Sequence, residues 1–455
     1  MTTIKTLINS KAKTKNDSTT ISMNRHDMKV NRIATQLKTR NTAAPLSLKK
    51  KAVSHQVPKA GQKKEATEKL DISDLNEILE INTNHQYCIA EPGVTFEKIV
   101  VETLKYSLVP VVVPELRTIT IGGAVSGCSL ESMSYKFGGF HDNCLEYEVV
   151  TAKGDVLICT PDNAHQLIFQ MVHGTFGTLG IITRIKFRLI PAKLFVKVTY
   201  EKYTSLEAYK SAIWNHYKER DIDFMDGIIH SPELYVLSAG NFVDVAPYTH
   251  SYDYLRIYYL STAKRREDYL KTEDYFFRYN NGVTNVRPKS LPGRLLFGKI
   301  INSTNTLILA SKFRRVIPAR LFPVTVDTFI PYSRMDEFMD WYIREVNHFP
   351  LWCVPYKVVR KYEWLSEDFL SNIDDELFLD IALYGMNKSN PDHYYEIIEK
   401  KLMDLYAIKT LISTNFYSKQ EFWGIWNKDN YDRVKAQTDP DNIFRNLYDK
   451  MCVKR

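Results

Sequence analysis

The chain has 455 residues, 44% of them apolar and 25% charged, which describes a soluble globular protein with room for about two or three domains. The net charge of +8 is lopsided, because residues 1–70 hold 16 Lys/Arg against 4 Asp/Glu and the remainder 45 against 49. A body that is not basic, and a basic tail without aromatic residues to stack on bases, exclude nucleic acid as the expected partner.

The basic tail reads as a solvated segment, or as one drawn to an anionic membrane surface. No run reaches the 18 or so apolar residues of a membrane span, and the N-terminus lacks the apolar core of a signal peptide. Cys88, Cys128, Cys144, Cys159, Cys353 and Cys452 are scattered. Their spacing suggests neither a zinc site nor a disulfide framework, and reduced thiols in a cytoplasmic protein are the expectation.

Residues 1–25 are polar and read as a disordered basic tail. Val30, Ile33 and Leu37 recur at helical spacing and predict a helix over 27–38. A weak strand is expected around Ala52-Val53-Ser54. Residues 71–90 read as strand–turn–strand, with the turn at Asn82–Asn84. Thr95 is placed to cap a helix running to Lys105. Val111-Val112-Val113 reads as a short buried strand ended by Pro114.

The most informative stretch comes next: Thr118-Ile119-Thr120-Ile121-Gly122-Gly123-Ala124-Val125-Ser126-Gly127-Cys128-Ser129-Leu130-Glu131-Ser132. It offers many main-chain and hydroxyl donors and almost no side-chain bulk, and its glycines permit positive φ and close approach to a ligand. It is neither a P-loop nor the Gly-x-Gly-x-x-Gly fingerprint. Taken alone it is either a tight turn or a ligand cradle.

A hairpin follows, Tyr147–Thr151 and Val156–Thr160 about a Lys153-Gly154 turn. Asp162 is placed to cap a helix over 163–172. The second glycine run, Gly174 to Gly180, feeds a strand from Ile181 that ends at Pro191. Beyond it, strands are expected at Phe195–Tyr200, Val324–Ile330, Leu351–Val359, Leu377–Leu383 and Thr410–Asn415. Helices are expected at 205–219, 333–346, 391–407 and from Ser418, with a last helix after Asp439-Pro440-Asp441. A tyrosine-rich region spans 248–282, and Arg314–Leu321 is basic and turn-like. The pattern is α+β, in two units.

The order Pro114-Glu115-Leu116-x-Thr118-x-Thr120-x-Gly122-Gly123-Ala124, hairpin, Gly174-Thr175-x-Gly177-x-x-Gly180-Ile181 resembles flavoproteins of the vanillyl-alcohol-oxidase type. Five segments are similar to the Δ24-sterol reductase family in particular. They are Thr120–Gly139, Gly177–Lys193, Pro350–Pro355, Glu376–Ile381 with Tyr384-Gly385, and Glu421-Phe422-Trp423 followed by Tyr448–Cys452.

The resemblance implies a two-subdomain FAD-binding domain over 26–192, a substrate or cap domain over 193–407, and a C-terminal segment, 408–455, that returns to the FAD domain. It implies that Thr118 to Ser132 run along the pyrophosphate and isoalloxazine of FAD, and that Gly177, Gly180 and Ile181 serve its adenine end. It further implies non-covalent FAD, NADPH as electron donor, and a sterol or other apolar substrate.

Two departures stand out. The region around Ser47–Val57, where such flavoproteins carry a glycine-rich pyrophosphate loop, has no glycine. A basic polar tail stands where the family has a membrane anchor, so membrane contact is expected to be peripheral. His55 and Cys128 are the residues weighed for covalent attachment.

Reducing an isolated C=C bond requires a proton at one carbon and a hydride at the other, so a positioned acid and a dry slot are needed. Tyr275 and Arg278, in Tyr275-Phe276-Phe277-Arg278-Tyr279, resemble an aromatic–basic stretch of the family and are the catalytic candidates. The alternative reading makes them packing residues. Asp380 and Tyr384 read as structural, and His141 as a catalytic-side candidate or a satisfied surface histidine. Two other functions stay open: an FAD-linked oxidase or dehydrogenase of a sugar or alcohol, and a lipid-binding module of the same fold without cofactor.

Overall fold

In a computed structural model the protein is described over residues 21–42, 44–52, 68–252, 256–282, 292 and 323–453. Its sheets are built from short strands joined by capped helices, in three groups. The small parallel pair is β1 (Leu46–Lys49) and β2 (Glu68–Asp71). A six-stranded sheet comprises β3 (Ile78–Asn82), β4 (Tyr87–Ala90), β5 (Leu108–Pro110), β6 (Cys144–Val150), β7 (Val156–Cys159) and β8 (Ile181–Pro191), ordered β3-β4-β8-β6-β7, with β5 also on β8.

An eight-stranded antiparallel sheet takes the rest: β9 (Phe195–Tyr203), β10 (Phe224–Ser231), β11 (Leu234–Val243), β12 (Glu267–Lys271), β13 (Val324–Pro331), β14 (Leu351–Lys357), β15 (Leu377–Met386) and β16 (Ile408–Lys409). Its order is β12-β9-β11-β10-β14-β15-β13-β16.

Side-chain alternation gives the large sheet two different faces. Leu379 and Ile381 of β15, Val326 and Ile330 of β13, and Leu351 and Cys353 of β14 pack under the helices Leu206–Glu219, Met335–Glu345 and Pro391–Asp404. The opposite face, with Phe329, Trp352, Val354, Tyr356, Phe378 and Ala382, joins one core with Ile121, Ala124, Val125 and Met133 of the glycine segment. The α+β expectation holds.

Several elements form as the caps predict. Thr95 Oγ1 accepts from the Lys98 amide at 3.3 Å and opens a helix at Phe96–Leu104. Ser205 caps Leu206–Glu219, and Ser418 with Glu421 forms a capping box on Lys419–Ile425. The Lys153-Gly154 turn places Gly154 at φ +80°, where a Cβ would fall 2.4 Å from the Ala34 carbonyl oxygen.

Other expectations are corrected. The strand before Pro114 is Leu108–Pro110, because β4 takes over that edge of β8 from Arg188 and leaves Val111–Val113 without a ladder partner. The helix expected at 163–172 is Gln166–Met171. Asn163, not Asp162, organises the turn ahead of it by accepting from the Thr160 and His165 amides. The expected Thr410–Asn415 strand is replaced by a two-residue strand just ahead of it, Ile408–Lys409, and the Asn415 side-chain amide ties down the carbonyls of Leu411, Ser413 and Met451.

The first helix covers 21–38, so residues 21–25 of the expected tail are helical. Near the expected strand at 52–54, the strand is β1 and residue 52 lies in a bend. Residues 53–67, with His55 and the last part of the glycine-free loop, lie outside the described residues, as does Arg314–Leu321.

That first helix buries Val30, Ile33, Ala34 and Leu37 against Leu46, Leu70, Val150 and Ile181. A buried histidine pins it. His26 is wholly enclosed, with Nδ1 2.9 Å from Glu91 Oε1 and Nε2 2.8 Å from Glu148 Oε1. Burial opposes the charged imidazole, but the two carboxylates outweigh it and raise His26 to about 9. Burial likewise pushes Glu91 and Glu148 up, and the bonds from His26, with Lys29 on Glu91, bring both below the usual range.

His26, raised above its free value of 6.5, therefore stabilises the fold fully below that pH and stops doing so as pH rises through about 9. The carboxylates' share is lost as pH falls below 4.5. The difference in thermal stability between the wild type and His26→Gln should be greatest between about pH 5 and 6.5 and shrink towards pH 9. A difference that does not change over that range would mean that the imidazole is not held as a cation.

Candidate functional site

The glycine segment folds as a short helix, Ile121–Gly127, not as a turn. Thr120 caps it, accepting from the Gly123 amide at 3.2 Å. The left-handed residue is Cys128, at φ 53°, whose amide donates to the Ala124 and Val125 carbonyls. The positive φ expected of these glycines is thus absent, and they serve as space. A Cβ on Gly122 would lie 2.6 Å from Pro92 Cβ, so this glycine lets the helix pack on the 90–94 loop. Gly123 is exposed and Gly127 has no neighbour nearer than 4.0 Å.

Ile121, Ala124 and Val125 face the core. Thr118, Thr120, Gly122, Ser126, Gly127, Cys128, Ser129 and Leu130 keep part of their surface, and Glu131 and Ser132 are buried.

The second run does use positive φ, at Gly174 (+65°), Gly177 (+72°) and Gly180 (+148°). It lies against the end of the first: the Gly174 amide donates to the Val125 carbonyl at 3.4 Å, and a Cβ on Gly174 would sit 3.4 Å from Cys128 Sγ. Gly180 is enclosed, with Val149 where a Cβ would go, and Ile181 is a core residue of β8 paired with Val150. The C-terminal segment fixes this run, Lys435 Nζ reaching the Thr178 carbonyl at 2.9 Å and Lys450 Nζ the Phe176 carbonyl at 2.7 Å.

Arg278 ties the glycine segment to the large sheet. Fully buried, it places Nη2 2.8 Å from Glu131 Oε1 and 3.1 Å from Asp226 Oδ1 of β10, and Nη1 donates to the Tyr275 carbonyl at 2.9 Å. Tyr279 Oη and Trp352 Nε1 both donate to Asp226 Oδ2, at 2.7 and 3.0 Å. Ser132 donates to Glu131 through its amide and its hydroxyl, and Tyr275 Oη donates to Ser132 Oγ at 3.3 Å. The guanidinium carbon stands 4.2 Å from the Tyr275 ring centre.

Burial holds the Glu131 carboxyl above the ordinary range against the pull of Arg278, and Asp226 adds to the rise. Burial also raises the Tyr275 phenol well above 10, with Arg278 opposing, which makes it a weaker proton donor at neutral pH. The two catalytic candidates therefore meet two of the cofactor candidates in one cluster. Asp226 and Tyr279 were not singled out, because one Asp in an apolar run carries no motif. His141, read as a satisfied surface histidine, is instead buried with neither ring nitrogen hydrogen-bonded, and burial lowers its pKa.

Truncation of Arg278 should leave two carboxyls unpaired. Arg278→Met is expected to lose about 3–5 kcal/mol in urea unfolding, and adding Glu131→Gln with Asp226→Asn should recover part of it. No recovery would make the loss one of packing alone.

Residues 53–160 match the family described as FAD binding domain. Over 410 residues the chain is 24% identical to Delta(24)-sterol reductase of Homo sapiens, covering 85% of this chain and 78% of that one. It is 24% identical to Delta(24)-sterol reductase of Pisum sativum, covering 74% of this chain and 65% of that one. Cytokinin dehydrogenase 1 of Arabidopsis thaliana is 31% identical over 144 residues, 31% of this chain and 25% of that one.

The chain is an FAD-linked oxidoreductase similar to the Δ24-sterol reductases. Gly122, Gly123, Ser126 and Gly127 leave a partly exposed strip with little side-chain bulk, close to Gly174 of the second run. The amides of Ile121, Gly122, Gly123, Ala124, Cys128 and Ser129 are already bonded within the protein, so the main-chain donors expected of this segment are largely spent and what it offers a ligand is space.

The two kinds of glycine separate fold from binding. Gly122→Ala should destabilise the protein by about 1–3 kcal/mol through its clash with Pro92. Gly123→Trp should leave the melting temperature near the wild-type value and abolish flavin retention. Normal flavin absorbance in purified Gly123→Trp would displace the site from this strip.

Proposed function

We propose that the protein reduces the Δ24 side-chain double bond of a sterol, using non-covalent FAD and NADPH. One observation carries the substrate class. The face of the large sheet that shares its core with the glycine segment is mostly apolar and aromatic, with Phe329, Trp352, Val354, Tyr356 and Phe378, and its charged groups are the carboxyls of Asp226, Asp327 and Asp380. A sugar or alcohol oxidase needs polar groups for its substrate's hydroxyls, whereas an isolated alkene needs a dry wall.

The bound flavin would supply hydride and be recharged by NADPH. The residues proposed to hold it are Thr118, Thr120, Gly122, Gly123, Ala124, Gly127, Glu131 and Ser132, with Gly177, Gly180 and Ile181 towards the adenine; the buried Gly180 and Ile181 would act by shaping the turn. Arg278 and Tyr275 orient Glu131 and Ser132. Burial raises the Cys128 thiol, which supports non-covalent attachment.

In this proposal residues 26–192 form the FAD domain, 193–407 the substrate domain, and 408–455 the returning segment, whose lysines support the second glycine run. No helix among the described residues is long and apolar enough to cross a membrane. The helix at 21–38 spends its apolar face on the fold, so peripheral contact with an anionic membrane falls to the residues before it.

Purified protein should be yellow, bleach with NADPH under anaerobic conditions, and regain colour on addition of a Δ24 sterol such as desmosterol. Bleaching that no Δ24 sterol reverses would favour the sugar or alcohol reading. Colourless protein that takes up no FAD would favour the lipid-binding module.

A further inference from the structure

The strands that meet the glycine segment carry acids that the clasp around Arg278 does not use. Asp380 lies on β15 between Phe378 and Ala382, paired with Phe329 on one side and Val354 on the other. Alternation turns its side chain to the same face as these four residues, towards the core shared with the glycine segment. It is 4% exposed, and its Oδ1 has no hydrogen-bond partner. The neighbouring Asp327 is differently placed, since Tyr384 Oη and Thr410 Oγ1 donate to its two oxygens.

Glu115, in the loop that leads into the glycine segment, is a third carboxyl near enough to interact with Asp327 and Asp380. Burial raises Asp380 well above the usual range, and repulsion from Asp327 and Glu115 adds to the rise. Glu115 itself is pushed up to about 8 by burial, with Glu131 and Asp327 contributing. A buried carboxyl with an unsatisfied oxygen, set among apolar side chains, is costly unless it serves a reaction or holds a proton.

We propose that Asp380 is the proton donor of this site, its carboxyl giving its proton to one carbon of the substrate C=C bond. The inference rests on the alkene-reduction reading above. The Asp380 O–H bond breaks, and the π pair of the alkene forms the new C–H bond. A bound reduced flavin would supply the hydride, with both its electrons, that the other alkene carbon needs. The carboxylate left behind regains a proton from water. Asp327, already satisfied by Tyr384 and Thr410, shapes the field and does not donate.

The test uses full-length protein loaded with FAD. Asp380→Asn should bleach with NADPH at the wild-type rate, which also shows that it folds, while recolouring by a Δ24 sterol slows by about 10²–10⁴-fold. Asp327→Asn should slow it by less than about tenfold. Recolouring of Asp380→Asn at the wild-type rate overturns the proposal, and so does an Asp327→Asn defect as large as that of Asp380→Asn.

A second readout needs no turnover. Infrared spectra of the wild type at neutral pH should show the carbonyl stretch of a protonated carboxyl that Asp380→Asn removes; an unchanged spectrum overturns the stored proton. If wild-type protein fails to respond to any Δ24 sterol while this infrared difference is present, the substrate reading fails and the acid remains.

Discussion

The structure turns on one buried guanidinium. Arg278 stands between Glu131, at the end of the glycine segment, and Asp226, in the middle of the large sheet. Removing three charges from water costs several kcal/mol per ion, so the arrangement depends on the partners these charges keep. Tyr279 and Trp352 both donate to Asp226 Oδ2, Ser132 satisfies Glu131, and the Tyr275 carbonyl takes a guanidinium proton, while Asp226 Oδ1 and Arg278 Nε make no hydrogen bond. The cluster fixes register as well as distance. The Met225 amide, next to Asp226, donates to the Ser132 carbonyl at 2.7 Å, so the backbone of β10 is hydrogen-bonded to the end of the glycine segment itself.

That constraint explains why the glycine segment can afford so little of its own packing. The helix at Ile121–Gly127 has two turns, three glycines and a serine, a poor helix by propensity. It is held by Thr120 at one end, the left-handed Cys128 at the other, Pro92 beneath Gly122, and Glu131 just beyond. Rigid supports on all sides leave one face bare, which a cofactor-binding surface requires.

Much of this was legible in the sequence where a local rule applied. Thr95, Ser205 and Ser418 announced their helices, and Gly154 its turn. Glu131-Ser132 and Arg278 were each singled out separately, but their meeting was not foreseeable, because 147 residues separate the pair. The strands β10 and β11 were not recognised: most of their residues are buried on both faces, so the alternation that marks a half-exposed strand is missing. The glycine helix was hidden for a different reason. Its stability comes from the loop and strands around it, which no propensity scale sees. His26 carries no motif either, since its partners lie 65 and 122 residues away.

The buried carboxyls bear on the proposed choice of reduction over oxidation. Glu131 and Asp226 pair with the Arg278 guanidinium, while Glu115, Asp327 and Asp380 are raised chiefly by burial. Burial favours the neutral forms of these three, because the alternative is several like charges in a dry space. An alcohol oxidase needs the opposite, a base ready to take a proton from the substrate's hydroxyl. An alkene has no acidic proton to lose and gains two hydrogens, so a wall that stores protons beside a strip that suits a hydride-bearing cofactor fits saturation of a double bond. The same acids that would be a liability to the fold are, on this reading, what the reaction draws on.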